Sequence, residues 1–511
     1  MAVTKKLVED LEGVVGSKYV MDQDFTQSVY GAAGIFLMNT LMEVSDRSAP
    51  PDVTVKPRTT EEVSEILKLA NETGTPVTVR GGGEGYWLGG SKDRGIMIDM
   101  TDMNKFIEYD EVSRTATFES GITWGALHTE LEKYGVTCGQ IGPHGLLGAC
   151  VGGSIGADSP GAGGAMFGIT GAVITNLKVV LPTGEVIRTG SLMNRETNYH
   201  LRYCNGPDLA GMFIGSGGIY GIITEVSFKT WPILKYSLTT AYAYPDFDSL
   251  CRSLYEAASY RYLAGYMGIP ALGALEGLFG AMFGKGSALS MVALEASNET
   301  IQEAQKEEVD KIAKKYGGRE VALGNLLGAV NFSILDRHGF MEGNLFHIIA
   351  PGSSFVTCTL APLLKVPEIY AAEAAIHKKY EDSYAFSDLL GKHVWMCFFM
   401  DGDDLGGVFA PSFFSFDTTT PEGKEKAYRI EHELLEAKWR TGYATLFSNT
   451  REWQTPHMVR RYDPKSYELV KKIKESLDPN NILNRDFVIP TSPYEKVDKI
   501  IAEMEAEEVE K

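Results

Sequence analysis

The apolar positions change period along the chain, and each change marks an element. Val53-Thr54-Val55 has the short β-branched run of a strand. Thr59-Thr60-Glu61-Glu62 then opens a helix in capping-box style, and Val63, Ile66, Leu67 and Ala70 recur at the spacing of one helical face. Asn71 to Gly74 closes that helix, and the strand Pro76 to Val79 runs straight into Arg80-Gly81-Gly82-Gly83. The pattern predicts a β-α-β unit whose second strand ends in a glycine loop. Further strands are expected at 95–100, 107–109 and 115–118, followed by a helix from Thr123 to Tyr134 that Gly135 stops. The stretch 139–171 is so dense in glycine that it predicts irregular structure. Residues 172–181 and 185–188 read as a hairpin across Pro182-Thr183-Gly184, and 220–226 as another strand.

From about residue 237 the character changes: helices alternate with strands, and aromatic and Met content rises. Near the end, a helix from Tyr467 to Leu477 precedes Asp478-Pro479-Asn480-Asn481-Ile482-Leu483-Asn484. These shifts divide the chain into a helical extension at 1–50, a glycine-loop domain at 51–236, a second domain at 237–455 and a C-terminal segment at 456–511. A length of 511 residues calls for more than one core.

Charge narrows the function classes. The net charge of -19 repels phosphates, which excludes non-specific nucleic-acid binding and docking on anionic lipid. Part of that excess lies in 503–510 and reads as a solvated helical tail. Six scattered cysteines form neither a disulfide framework nor a CxxC pair, which fits a reducing cytoplasm and argues against an iron-sulfur cluster. The nine histidines show no close ligand pairing, so no metal site is expected. The N-terminal residues lack an apolar signal core. Residues 262–284 carry a single charge, Glu276, but six glycines and Pro270 break them up. They read as a buried or mobile apolar element at a domain interface rather than a membrane span.

Chemistry concentrates in the glycines. Residues 80–90 hold six glycines in eleven positions at the end of a strand. A diphosphate is met by closely spaced backbone N–H groups, and only glycine lets the main chain approach so near. The loop therefore predicts an anionic ligand. No GxGxxG, no P-loop and no HExxH occurs. Gly152-Gly153-Ser154-Ile155-Gly156 satisfies GxSxG, but it sits in a glycine-rich stretch rather than on a strand-to-helix elbow, which argues against a serine hydrolase.

The order of the pieces resembles the flavoprotein family of vanillyl-alcohol oxidase and para-cresol methylhydroxylase. The proline-bearing strand and helix come first, then Arg80 to Gly90, the Trp124 helix within Gly121 to Gly135, and the glycine cluster from Gly142 to Gly168. The hairpin Val179 to Gly190, the segment Asp208 to Thr224, and Leu477 to Asn484 complete the order. The resemblance implies an α+β fold, with an FAD-binding domain of two subdomains and an α+β cap domain built on an antiparallel sheet. Residues 456–511 would return to the FAD domain.

The same resemblance implies residue roles. Arg80, Gly81, Gly82, Gly83, Glu84, Gly85, Gly89 and Gly90 would hold the FAD pyrophosphate. Gly142, Pro143, His144, Gly145, Gly152, Gly153, Ser154, Ala157 and Asp158 would run along the ribityl chain and ring edge. Gly168, Gly221, Ile222 and Ile223 would contact the adenine half, and Asn484 would close the site. Gly83 and Gly148 occupy the two familiar attachment points of covalent flavins, which implies non-covalent FAD. The arginine that follows the tyrosine of a Gly-x-Tyr-Arg segment in phenol-oxidising members is replaced by Ala444. Tyr86 and Tyr443 remain candidate substrate contacts, and Arg440, Arg451, Arg460 and Arg461 candidate anion partners. The sequence shows Met400 to Gly406 where 2-hydroxyacid dehydrogenases usually bear a His-rich metal signature.

The resulting expectation is an FAD-dependent oxidoreductase, more a dehydrogenase than an oxidase. It would take a hydride from an alcohol-, phenol- or hydroxy-bearing carbon of a small molecule. A 2-hydroxyacid dehydrogenase and a flavin-bearing electron-transfer subunit are the alternatives. An electron-acceptor protein, and a homo-oligomer or larger complex, are the expected partners.

Overall fold

The computed structural model describes residues 3–30, 50–84, 94–139, 148–161, 163–273, 276–322, 353–384, 386–387, 392–393, 395–397, 399–404, 406–416, 421–446, 459–490 and 495–509. Tyr86, Gly85, Gly89, Gly90, Gly142, Pro143, His144, Gly145 and Arg451 lie outside them.

Two sheets build the N-terminal half. The first has the order β1 (Val20–Met21), β2 (Val53–Val55), β4 (Ile96–Asp99) and β3 (Val77–Arg80). β2 and β3 both pair parallel with β4, so the expected β-α-β unit exists with β4 inserted between its two strands. The connecting helix is α3 (Thr60–Thr73), after α1 (Lys5–Val15) and α2 (Asp24–Tyr30). Thr59 Oγ1 accepts from Glu62 N at 3.1 Å and starts α3, and Gly74, at φ 63°, ends it. Its face of Val63, Ile66, Leu67 and Ala70 packs with Val53, Val55, Ile96 and Ile98.

The second sheet is antiparallel, in the order β5 (Phe106–Asp110), β6 (Thr115–Glu119), β9 (Ile222–Lys229), β7 (Ile174–Val180) and β8 (Val186–Arg188). The hairpin expected across Pro182-Thr183-Gly184 is β7–β8. Helix α4 (Trp124–Glu132) covers it through Trp124, Leu127 and Leu131. The expectation of irregular structure at 139–171 is corrected. Three short helices fold there: α5 (Val151–Ala157), α6 (Gly164–Phe167) and α7 (Thr170–Val173). Val151 and Ile155 anchor α5 in the core, which outweighs its glycine content.

Most of the described strands between 236 and 446 build one large antiparallel sheet. From Arg319–Glu320 at one edge it runs β10 (Tyr236–Tyr244), β12 (Ala288–Ala296), β11 (Gly265–Pro270), β14 (Phe399–Asp401), β15 (Gly407–Phe416), β13 (Ser353–Pro362) and β16 (Thr445–Leu446). Helices cover one face. Tyr244 meets Ser253 of α8 (Phe247–Ser259) at 2.9 Å, Tyr242 donates to Asp310 of α10 (Glu299–Lys315) at 2.8 Å, and Ser412 meets His377 of α11 (Val366–Lys379) at 2.8 Å. Between α8 and α10 lies α9 (Glu276–Phe283). The apolar run 262–284 is thus one buried strand, β11, followed by α9. No helix among the described residues is long and apolar enough to cross a membrane.

The alternate residues Gly265, Met267, Leu289, Met291 and Phe409 point away from these helices. That face turns toward α6, where a Cβ on Gly265 would lie 3.9 Å from Gly163 N. One carboxylate ties the halves together. Asp401 accepts from Gly163 N and Ala165 N, each at 3.0 Å, and from Tyr266 N at 3.1 Å.

The C-terminal chain divides between the halves. Helix α13 (Pro464–Leu477) packs on the N-terminal half, where Lys474 Nζ donates to Ile219 O at 2.9 Å and to Leu483 O at 2.7 Å. Helix α14 (Glu495–Val509) instead packs on α12 (Pro421–Arg440), burying Ile501 and Met504. The acidic tail read from the sequence as solvated therefore has a buried face, and its helix belongs with the cap rather than with the domain at 51–236.

Candidate functional site

Parallel strands gather their C-terminal ends on one edge of a sheet, and loops leaving that edge are where such folds hold ligands. Arg80 ends β3 there, and Gly81-Gly82-Gly83 leaves it. The loop lies against the start of α5. Gly81 faces Cys150, with its Cβ position 3.0 Å from Cys150 Cβ. A Cβ on Gly82 would overlap Gly148 O, and one on Gly83, at φ 75°, would overlap the Arg80 guanidinium. Only glycine fits at 82 and 83. The two glycine segments singled out in the sequence are thus brought into contact through backbone.

Glu84 follows between them. Its carboxyl lies near Gly148, and Oε2 is buried with no hydrogen-bond partner among the described residues. Burial raises its pKa, with the nearby Arg80 charge opposing. Beside it the Cys150 thiol is buried and pushed up to about 11, chiefly by burial.

Helix α5 presents the second surface. Gly152 is packed on Ser120, whose Cβ lies 2.8 Å from a Cβ built on the glycine. A Cβ on Gly153 would meet nothing within 4 Å among the described residues. Ser154 points the other way: its Oγ accepts from Trp124 Nε1 at 2.8 Å and donates to Cys150 O at 3.3 Å. Its hydroxyl is engaged in the core, which removes the hydrolase reading of GxSxG. Ala157 and Asp158 end the helix. Asp158, at φ 47°, accepts from Gly171 N at 2.8 Å, and burial raises its pKa. Its carboxyl therefore organises the 168–171 turn. Gly168, at φ 83°, forms that turn with a Cβ position 2.8 Å from Ala172 Cβ.

Gly221 is pressed against Val179, Ile222 is buried in the core, and Ile223 is partly exposed. Asn484 closes the arrangement from the far end of the chain. Its Oδ1 accepts from Val79 N at 3.0 Å, its Nδ2 donates to Gly217 O at 2.9 Å, and its own N–H donates to Val77 O at 2.8 Å. It is a buried clamp on β3.

Of the candidate catalytic residues, Tyr86 lies outside the described residues, while Arg440 and Tyr443 lie at the end of α12 and just beyond it. Arg440 is exposed at the end of α12. Tyr443 is half exposed, with Lys365 Nζ 4.4 Å from its ring centroid. Arg460 pairs with Asp498 and Glu505, and Arg461 with Glu436. Sequence reasoning missed Tyr30 and Asp99, which stand beside Arg80; the acidic end of β4 was the available signal. Among the described residues no cluster of His, Cys, Asp and Glu is arranged to hold a metal.

Two glycine segments in backbone contact, and a buried Glu84 carboxyl oxygen with no partner among the described residues, fit a dinucleotide with a diphosphate. The comparisons agree. Residues 51–190 match the FAD binding domain family, and 453–488 match the C-terminal domain of FAD linked oxidases. An uncharacterized FAD-linked oxidoreductase of Mycobacterium tuberculosis is 33% identical over 211 residues, covering 41% of this chain and 44% of that protein. The chain thus matches less than half of that relative's length. Glycolate oxidase subunit GlcD of Bacillus subtilis is 24% identical over 498 residues, covering 94% of this chain and 96% of that protein. Among solved structures, p-cresol methylhydroxylase has a TM-score of 0.78 at 19% identity, covering 95% of this chain and 97% of that one, a likeness of fold. Residues 51–190 thus carry an FAD binding domain and 453–488 the C-terminal segment of FAD linked oxidases, on a chain with the fold of p-cresol methylhydroxylase.

Proposed function

We propose that the protein is an FAD-dependent dehydrogenase acting on a hydroxyl-bearing carbon of a small, largely apolar molecule. The observation that carries this reading is the backbone contact of the Arg80–Gly83 loop with the start of α5; the cap-sheet face turned toward α6, buried in the cap core, is apolar, with Met267, Leu289, Met291, Ala293 and Phe409. An apolar wall orients a substrate by shape and excludes water from the reacting carbon. Arg80, Gly81 to Gly83 and Gly153 would hold the cofactor, with Asn484 fixing the strand that carries Arg80. FAD when bound supplies the two-electron acceptor. The chain's part is to position the substrate carbon and to hold its hydroxyl proton until it leaves.

The similarity to a glycolate oxidase subunit along nearly the whole chain supports a second reading, oxidation of a 2-hydroxyacid. Anaerobic mixing of the flavoprotein with aryl alcohols and apolar alkyl alcohols in one series, and with D-lactate and glycolate in another, separates the two. Loss of the oxidised flavin absorbance with the first series alone is the expected result. Bleaching by hydroxyacids alone would overturn it in favour of the second. A chain that reconstitutes no FAD would remove both.

A further inference from the structure

Helix α2 lies outside the region that matches the FAD binding domain family, which begins at residue 51. It is nevertheless bolted across the ligand-binding edge of the first sheet. Thr54 of β2 donates to Gln27 Oε1 at 2.9 Å, and both residues are buried. Gln27 Nε2 donates to Met21 O at 2.8 Å. Tyr30 then spans the ends of β4 and β3. Its hydroxyl donates to Asp99 Oδ2 at 2.5 Å, its carbonyl accepts from Arg80 Nη1 at 3.3 Å, and its ring lies 5.5 Å from the guanidinium carbon.

The pairing of β3 with β4 sets Arg80 directly beside Asp99. A bare carboxylate there would draw the guanidinium into a bidentate pair, away from the glycine loop. Asp99 is instead engaged on both oxygens. Oδ1 accepts from Thr101 N at 2.9 Å and Thr101 Oγ1 at 2.6 Å, while Oδ2 holds Tyr30 and has Lys56 Nζ at 3.9 Å. Burial and Asp99 both raise the Tyr30 pKa, so the phenol stays a donor. The guanidinium is left packed under Gly83.

From this geometry we infer that Tyr30 is a positioning residue for FAD binding: by occupying Asp99 and bracing Arg80, an N-terminal helix outside the shared domain completes the pyrophosphate end of the site. The inference rests on Arg80 being a phosphate contact, and the test keeps the two apart.

Apo-protein from a riboflavin-limited host is titrated with FAD, following flavin fluorescence, for wild type, Tyr30→Phe, Arg80→Ala and the double variant. Tyr30→Phe, which removes one oxygen, is expected to weaken FAD binding about five-fold, the scale of one lost hydrogen bond to a charged network. Arg80→Ala should weaken it further, and adding Tyr30→Phe to Arg80→Ala should change it less than two-fold, because Tyr30 acts through the arginine. Apo-protein melting of Tyr30→Phe should stay within about a degree of wild type, since Asp99 exchanges the phenol for the neighbouring Arg80 guanidinium. Undiminished FAD affinity in Arg80→Ala would overturn the role of Arg80 itself. A weakened Arg80→Ala with a normal Tyr30→Phe would overturn the role of Tyr30 alone. Equal, additive losses in both backgrounds, or a parallel drop in apo melting, would make Tyr30 a general stabiliser and overturn the inference.

Discussion

Among single residues, the glycines of α5 divide by what surrounds them. Gly152 is explained by Ser120 pressing on it, whereas a Cβ on Gly153 meets nothing within 4 Å among the described residues. Helix interiors disfavour glycine by about 1 kcal/mol relative to alanine. Gly153→Ala should therefore stabilise the apo-protein by about 0.5–1 kcal/mol in urea melts while weakening FAD, since the new methyl enters the space proposed for the cofactor. Stabilisation with unchanged FAD affinity would place the flavin elsewhere. Glu84 gives a pH signature. Its pKa is raised by burial, so below that value the carboxyl is neutral and can donate to a phosphate oxygen. As pH rises through it, a carboxylate appears beside the diphosphate, and FAD affinity should fall. Glu84→Gln keeps a donor and should flatten that fall; an unchanged profile would release Glu84 from the site.

For the elements, burial of polar side chains fixes how the cap helices sit on their sheet. His377 on α11 meets Tyr384 at 2.7 Å and Ser412 of β15 at 2.8 Å, and stacks on Trp395 at 4.5 Å between ring centroids. Burial lowers its pKa to about 3. In the unfolded chain it titrates near its ordinary value of about 6.5. Below that value the unfolded state takes up a proton that the folded state refuses. Stability is therefore whole above about pH 6.5 and falls as pH drops toward 3, by up to about 1.4 kcal/mol per pH unit. His377→Gln should lower stability at neutral pH yet reduce that slope, read from urea melts between about pH 7 and 5. Equal slopes in the two proteins would refute the assignment.

Little of this element-level detail was legible in the sequence, and the reason is physical. The β-α-β pattern, the hairpin and the glycine loop are local, with period, cap and turn residues inside one window. The insertion of β4 between β2 and β3 is set by pairing across the sheet, which no local period reports. The helices at 151–173 were hidden because Val151 and Ile155 win by tertiary burial over glycine propensity. Where Arg440 and Tyr443 sit depends on how α12 ends against β13, a long-range fact. Tyr30 reaches Asp99 across 69 positions.

At the scale of the whole molecule, the chain's last residues decide how the cap is fastened. Helix α13 is fixed to the N-terminal half by Lys474, and α14 crosses to α12. Two kinds of contact hold α14. Arg429–Glu503, Arg460–Asp498 and Arg460–Glu505 lie at 3.1, 3.2 and 3.5 Å with partly exposed partners. Such pairs contribute about 0–1 kcal/mol each and weaken with salt. Ile501 is 1% exposed and Met504 7%, both against the cap side. Truncating a buried Ile costs about 2–5 kcal/mol. The apolar pair should thus outweigh the three ion pairs. Ile501→Ala is expected to speed amide exchange across α12 and α14 by more than tenfold with FAD affinity unchanged, because the flavin-side clamps at Lys474 and Asn484 are untouched. Asp498→Ala and Glu503→Ala should each change exchange less than five-fold. Raising salt to about 0.5 M, which screens exposed charges to within a few ångströms, should leave wild-type exchange in α14 nearly unaltered. Exchange that climbs with salt, or that responds more to Glu503→Ala than to Ile501→Ala, would make the ion pairs the fastener and reverse the ranking.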